Sequence, residues 1–299
     1  MNFVKRIFWY VIVNIVVILT ISVILHALGL DTRLSYSYGY DYTSLLIFCA
    51  IWGFAGSFIS LLLSKFTVKL AMGVKVIPPN TTDPTAMWLV QTVYSLAKSA
   101  GISKMPEVGI YEAREVNAFA TGPSKNSALV AVSSALLGKL NKEQIKGVLG
   151  HEIAHVTNGD MVTMTLLQGV INTFVMFFAR ILASIVSSAG SRDGDRRNPA
   201  VYFALVLVFQ IVLGLAGMIL TAYFSRIREF RADKGGAKYA GLNNMISALE
   251  ALKPTVDYVD DSHQSVAAFK ISGKRSKFAS LFATHPDLNA RIERLKKSL

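Results

Sequence analysis

GVLGHEIAHVTNGDM, residues 147–161, places His151 and His155 four residues apart with Glu152 between them. On an α-helix, residues at that spacing lie one above the other, so both imidazoles are sent toward one point. His-Glu-x-x-His is the arrangement in which a helix holds zinc between two histidines and keeps a base beside it. The plain alternative is a chance meeting of three polar residues on a surface helix. Against it, two of only five histidines fall in this turn, and Val148, Leu149, Ile153 and Ala154 make the surrounding surface apolar. The spacing therefore points to one Zn2+ per chain, with Zn–N distances of about 2.0–2.1 Å.

Working outward, Asn141 with Gln144 has the pattern of a capping box and starts the helix that carries the motif. Further upstream, Asp83 is a candidate N-cap, Pro84 takes the first helical position and Gly101 is the stop. The stretches PEVGIYEAREVNAFATG and NSALVAVSSALL read as short strands punctuated by Gly and Pro.

The surroundings are those of a membrane chain. Of 299 residues, 52% are apolar and 17% charged, against roughly 25% charged in soluble domains; the mean hydropathy is +0.43. No formal charge occurs between Arg6 and Asp31, or between Asp41 and Lys65. Each stretch exceeds the roughly 20 residues that span a bilayer. The first is longer than a signal-peptide core and lacks an A-x-A-like cleavage site, so it is expected to be a retained anchor. Asn14 and His26 within it read as polar residues at a helix contact or near the interface. After the motif, Met161–Ala179 and Ile181–Ala189 flank Arg180, and Pro199–Ser225 is uncharged again. The last is expected to span. The one holding Arg180 either spans, with Arg180 snorkelling or facing protein, or is a long buried helix.

The net charge of +12 comes with no nucleic-acid-binding signature, so it is read as topological and no nucleic-acid partner is expected. Lys5 and Arg6 precede the first segment, and Lys65, Lys69 and Lys75 follow the second, which puts the outer flanks and the motif on the cytoplasmic side. Arg192, Arg196 and Arg197 disagree, lying in a link that this topology places outside. The single cysteine, Cys49, sits in an apolar run, so neither a disulfide nor a cysteine-held zinc is available. The resulting division is 1–65, two transmembrane helices; 66–160, the first half of a catalytic domain; 161–225, two further apolar segments; and 226–299, its second half.

A catalytic zinc takes three protein ligands and keeps a fourth position open. The extended pattern H-E-x-x-H-x-x-G-x-x-H is excluded, because Asn158 and Met161 occupy its Gly and His places. Asp160, Glu229, Asp233 and His285 remain. Asp160, five residues past His155, is too close to reach the same ion and is expected to orient a ligand or polarise the helix end. Glu229 and Asp233 are four apart in SRIREFRADKGG, among Arg226, Arg228 and Arg231, and spacing alone does not separate a ligand from a solvated salt bridge.

HEIAH, followed by SRIREFRAD and then THPDLNARI, with NAFATG upstream, resembles the HtpX-type heat-shock membrane zinc metalloproteases, relatives of the CAAX prenyl proteases. The resemblance covers essentially the whole chain. It implies a multi-pass α-helical membrane protein with an α+β, gluzincin-like catalytic domain, mostly helical with a small sheet. It also implies His151, His155 and Glu229 as zinc ligands and Glu152 as general base to a zinc-bound water. Asp233 then becomes a partner fixing a ligand imidazole. His285 either steadies an oxyanion or caps the helix starting near Pro286, the cap being favoured. Residues Asn117, Ala118, Phe119 and Ala120 are expected in an edge strand that pairs with an extended substrate; an internal strand is the alternative.

The implied clients are misfolded or damaged membrane proteins and unfolded polypeptide, cut at the cytoplasmic face of a bacterial inner membrane during envelope stress. A narrow-specificity processing protease is the nearest rival. A non-catalytic zinc scaffold or transporter is the more distant one, since structural zinc is normally closed by four ligands, often cysteines.

Overall fold

The computed structural model describes residues 41–189, 198–255 and 281–297. The expected first anchor, with Asn14 and His26, and the arginines at 192, 196 and 197 lie outside the described residues. Among the described residues, three helices are long and apolar enough to cross a membrane: α1 (Tyr42–Met72), α5 (Asp160–Ala189) and α6 (Pro199–Ala240). The chain divides into two compact units, one from the described residues of 1–59 with Thr163–Thr221, the other from Ser60–Val162 with the described residues from Ala222 on. Helix α6 is unbroken through the expected 225/226 boundary.

The first unit holds the apolar lengths of the three long helices. Arg180 is accommodated by protein: Nη1 donates to the Met176 carbonyl at 3.1 Å and the guanidinium stands over the Phe48 ring, 5.8 Å from its centre. Cys49 is fully buried with Tyr42, Leu46 and Phe177. It is therefore inert packing and takes no part in chemistry.

The second unit combines a four-stranded sheet with helices. Its strands are β1 (Lys75–Val76), β2 (Glu107–Tyr111), β3 (Ala118–Ser124) and β4 (Ser127–Ser133), in the order β1-β2-β4-β3. β2 and β4 run parallel, and the two outer pairings are antiparallel. β4 is buried almost throughout, as a central strand of small and β-branched residues should be. β3 is an edge.

Helix α2 (Pro84–Ser99) begins as expected, with the Asp83 carboxylate accepting from the Ala86 amide at 2.6 Å, and Gly101 beyond its end has φ +72°. One stretch of the strand reading is corrected. Residues 134–139 form the short helix α3 (Ser134–Lys139), because the Ser133 hydroxyl accepts from the Leu136 amide at 3.1 Å and so ends the strand in a helix cap.

Helix α4 (Lys142–Asn158) carries the motif. Its start is a reciprocal capping box: the Gln144 amide donates to the Asn141 side chain at 2.9 Å and the Asn141 amide to Gln144 at 3.0 Å. Leu149, Ile153 and Val156 join Leu89, Val93 and Leu96 of α2 and Val130 and Val132 of β4 in one core. The motif helix is thus pinned on one side by about 1.5–3 kcal/mol per buried aliphatic side chain.

The chain ends in α7 (Leu242–Leu252), a 3-10 turn (Lys253–Thr255) and α8 (Leu288–Lys296). Met245 and Leu249 of α7 pack on Ile292 and Leu295 of α8.

Within this unit, α6 lies against α4 at very short range. A Cβ on Gly235 would stand 2.6 Å from the Ala154 Cβ, one on Gly236 3.0 Å from the His151 amide, and one on Gly150 2.7 Å from the Ala240 Cβ. The Gly235-Gly236 pair therefore lets two backbones approach rather than ending the helix. That approach puts the carboxylates of α6 within reach of the histidines of α4.

Candidate metal centre

The imidazoles of His151 and His155 converge edge to face, with their Nε2 atoms 3.1 Å apart. Each Nδ1 faces a carboxylate: His151 that of Asp233 at 3.0 Å, His155 that of Asp160 at 2.7 Å. A carboxylate on Nδ1 assigns the ring proton to that nitrogen and leaves the Nε2 lone pair free. Two such lone pairs therefore point into the same space, an arrangement that repels unless a cation lies between them.

Glu229 closes the group. Its Oε1 is 3.3 Å from His155 Nε2 and its Oε2 3.4 Å from His151 Nε2. Ligands about 2.0–2.1 Å from a tetrahedral ion stand about 3.3–3.4 Å from one another. The Nε2 atoms stand 3.1 Å apart and each has a different Glu229 oxygen 3.3–3.4 Å away, spacings close to those between ligands of one such ion. Among the described residues, these three form the group of metal-ligating side chains that close on one another. Glu229 is 1% exposed, a charge too deeply buried to persist without a compensating partner.

The local sequence explains each placement. Gly159, in the left-handed conformation at φ 66°, caps α4 and turns the chain so that Asp160, the first residue of α5, comes back beneath His155. This is how a residue only five positions on reaches the ring's Nδ1 while staying away from Nε2. Asp233, one turn beyond Glu229, meets the other ring.

The same carboxylates favour positive charge between the rings, whether it is carried by a proton on Nε2 or by a metal ion. Burial disfavours the charged form of His155, but Asp160 and Glu229 outweigh it and push the pKa up to about 10. His151 is raised in the same way, its burial being outweighed by Asp233 and Glu229.

Glu152 is half-buried next to His151. Among the described residues nothing hydrogen-bonds to its carboxylate or pairs with it, which leaves both oxygens for a bound molecule. The residues expected to receive substrate are on an edge strand: Ala118, Phe119 and Ala120 belong to β3, which packs against α4. Asn117 immediately precedes it, its amide donating to Ser133 Oγ at 3.1 Å and its carbonyl accepting from the Ser133 amide.

The helix-cap reading of His285 is corrected. Asp287 caps α8, accepting from the Asn289 and Ala290 amides at 2.9 and 3.2 Å. The His285 ring turns instead to Glu229, Nδ1 lying 2.8 Å from Oε2, while two thirds of the side chain stays exposed.

Arg291 is the residue the sequence reading did not single out. It is 6% exposed. Nε and Nη2 donate to the two oxygens of Asp233 at 2.8 and 2.6 Å, and Nη1 stands 3.4 Å from Glu229 Oε2. A signal was present: Leu288, Arg291, Ile292 and Leu295 share one helical stripe, so the arginine sits on the apolar face of α8.

Two histidines and a glutamate closing on one point, in a chain with membrane-length helices, define a membrane metalloprotease. The comparisons agree. Residues 84–299 match Peptidase family M48, and the chain belongs to that family. A protease HtpX homolog of Bacillus licheniformis is 50% identical over 98% of this chain and 99% of its own length. A protease HtpX of Shewanella piezotolerans is 47% identical over 98% and 100%. In fold, the chain is similar to S. mikatae Ste24p, with a TM-score of 0.60, 19% identity and coverage of 93% of this chain and 66% of that one.

Proposed function

We propose that this metalloprotease is a zinc-dependent endopeptidase that cuts misfolded or damaged membrane proteins at the cytoplasmic face of a bacterial inner membrane. The observation that carries the zinc assignment is the convergence of His151 Nε2, His155 Nε2 and the Glu229 carboxylate, the two nitrogens 3.1 Å apart and each within 3.3–3.4 Å of one carboxylate oxygen. Two imidazoles and one carboxylate are the donor set of a catalytic zinc with one position open. When bound there, zinc supplies a Lewis acid that lowers the pKa of water toward roughly 7 and polarises the substrate carbonyl.

The chain's own residues do the rest. Glu152, with no competing partner among the described residues, takes the proton of the attacking water and returns it to the departing amine. Asp233 and Asp160 hold the Nδ1 protons of the two ligand rings, which keeps both Nε2 atoms aimed at the centre. His285, exposed on one side and tied to Glu229 on the other, is placed to donate to the oxyanion of the tetrahedral intermediate. β3 offers backbone groups to an extended substrate, a mode of binding that makes little demand on side chains and suits varied unfolded clients. The basic residues Lys65, Lys69 and Lys75 around the end of α1 support a cytoplasmic placement.

The test uses the full-length chain in detergent with zinc added, cutting casein or an unfolded membrane protein. Glu152→Gln should lower the rate by roughly 10²–10⁴-fold while zinc content stays at one per chain. A variant that holds zinc and cleaves at the wild-type rate overturns the mechanism.

A further inference from the structure

Helices α6 and α8 enclose a second feature, a cavity of about 350 Å³ walled by Ile227, Phe230, Arg231 and Lys234 from α6 and by Arg291 and Arg294 from α8. Arg294 lies over the Phe230 ring, its guanidinium carbon 4.5 Å from the ring centre. No carboxylate among the described residues pairs with Arg231, Lys234 or Arg294. Asp233 also reaches the wall, but its oxygens are taken by Arg291 and His151. The cavity thus has an aromatic wall and three cations that no carboxylate of the described residues pairs with.

Its depth is read from the charge and apolar pattern of α6, in which Arg226 and Arg228 already flank Ile227. Exposed large apolar residues run along this helix from Val201 to Ile227 and then stop. At about 1.5 Å per residue, Arg231 lies about 6 Å and Lys234 about 10 Å past Ile227. The headgroup layer on each side of the hydrocarbon is roughly 5–8 Å thick. With the hydrocarbon boundary placed at the end of that run, Arg231 falls at headgroup depth, Lys234 just beyond it and Ile227 at the acyl-chain rim. A basic flank read only as a topology signal would be a scatter of solvated side chains; here two helices converge to make a concave site.

We infer that this cavity binds the phosphate headgroup of an anionic phospholipid, with Arg231, Lys234 and Arg294 around the phosphate and Ile227 and Phe230 against the glycerol and first methylenes. The inference depends on α6 crossing the membrane and is independent of the protease chemistry.

The experiment is native mass spectrometry of the full-length protein released from neutral detergent, titrated with phosphatidylglycerol and with phosphatidylcholine of the same acyl chains. Phosphatidylglycerol should be retained in preference. Each surface cation near an anionic headgroup is worth about fivefold, so Arg231→Gln/Lys234→Gln should weaken its retention roughly 25-fold and adding Arg294→Gln roughly a hundredfold. Arg231 and Lys234 are exposed, so the double variant leaves the packing and thermal unfolding midpoint unchanged, which separates lost binding from lost fold. Equal retention of the two lipids, unchanged binding by the double variant, or displacement of the lipid by millimolar glycerol 3-phosphate each overturns the assignment. The last of these would make the cavity a site for a soluble phosphate.

Discussion

Arg291 grips Asp233 by both edges of its guanidinium, at 2.8 and 2.6 Å, and the same Asp233 oxygen that receives Nη2 lies 3.0 Å from His151 Nδ1. Helix α8 thus orients the His151 ring, on a helix 140 residues earlier. Arg291→Lys keeps the charge but loses the planar fork that fixes the carboxylate. Zinc affinity, measured by chelator competition on purified protein, should fall roughly 10–100-fold, as for other partners of ligand imidazoles. Asp233→Asn should fall with it, and the double variant should add little to either, since the two residues act as one unit. Unchanged affinity in Arg291→Lys would reduce the pair to a packing contact.

Gly235 is a sharper test of how the site is assembled. A valine there must displace the Ala154 Cβ, 2.6 Å from where its own Cβ would be, and so force α4 and α6 apart. The expected loss is about 1–3 kcal/mol, seen as a lower unfolding midpoint together with weaker zinc retention. Gly214, on the same helix with nothing within 4 Å of its Cβ position, is the control. Gly214→Val should leave both measurements unchanged.

These two residues show what was readable in the sequence and what was not. The motif helix, its capping box and the Asp83-Pro84 start of α2 depend on residues a few positions apart, and periodicity and caps report such local geometry directly. His151 and His155 belong to that class, one turn from each other. Glu229 comes from a helix 74 positions after His155, and spacing by itself left it undecided between ligand and salt bridge; only the resemblance separated the two. Asp160 was read as too close to share the ion. The left-handed turn at Gly159 shows why it reaches the other ring nitrogen instead. The Gly235-Gly236 pair has the composition of a helix stop and acts as a packing notch, because the deciding partner, α4, is remote in sequence. Arg291 left a periodicity signal, but what it contacts is set by tertiary packing.

Glu107 gives a pH test away from the metal. Its carboxylate accepts from Lys65 at 2.5 Å and pairs with Lys69 at 2.5 Å, joining the end of α1 to β2 within one unit. Partial burial alone would raise its pKa, but the two ammonium groups outweigh burial and hold it below the ordinary carboxylate value. A depressed folded pKa means that the contribution is complete above about pH 4.3, the unfolded value, and is lost as pH falls through the folded one. Partly exposed as it is, the cluster should contribute under about 1 kcal/mol. Wild type should therefore melt slightly above Glu107→Gln at pH 7, and the two should converge in acid and in high salt. A gap that persists at pH 3 would assign the difference to packing.

The edge position of β3 predicts how substrate chemistry controls cleavage. A peptide that adds itself to β3 is held by backbone N–H and C=O groups, with its side chains standing alternately toward and away from α4. Replacing single amides around the scissile bond with N-methyl amides removes one donor at a time. At about 1 kcal/mol net per hydrogen bond, each methyl on a paired amide should raise KM roughly fivefold, while methyls on the intervening amides, which face away from the strand, should cost little. The effect should therefore alternate along the peptide with a period of two, and exchanging one side chain for another at the same positions should matter less. A series in which side-chain identity dominates and N-methylation has no periodic effect would show that substrate is read by pockets, and would return the narrow-specificity processing enzyme as the better account of this site.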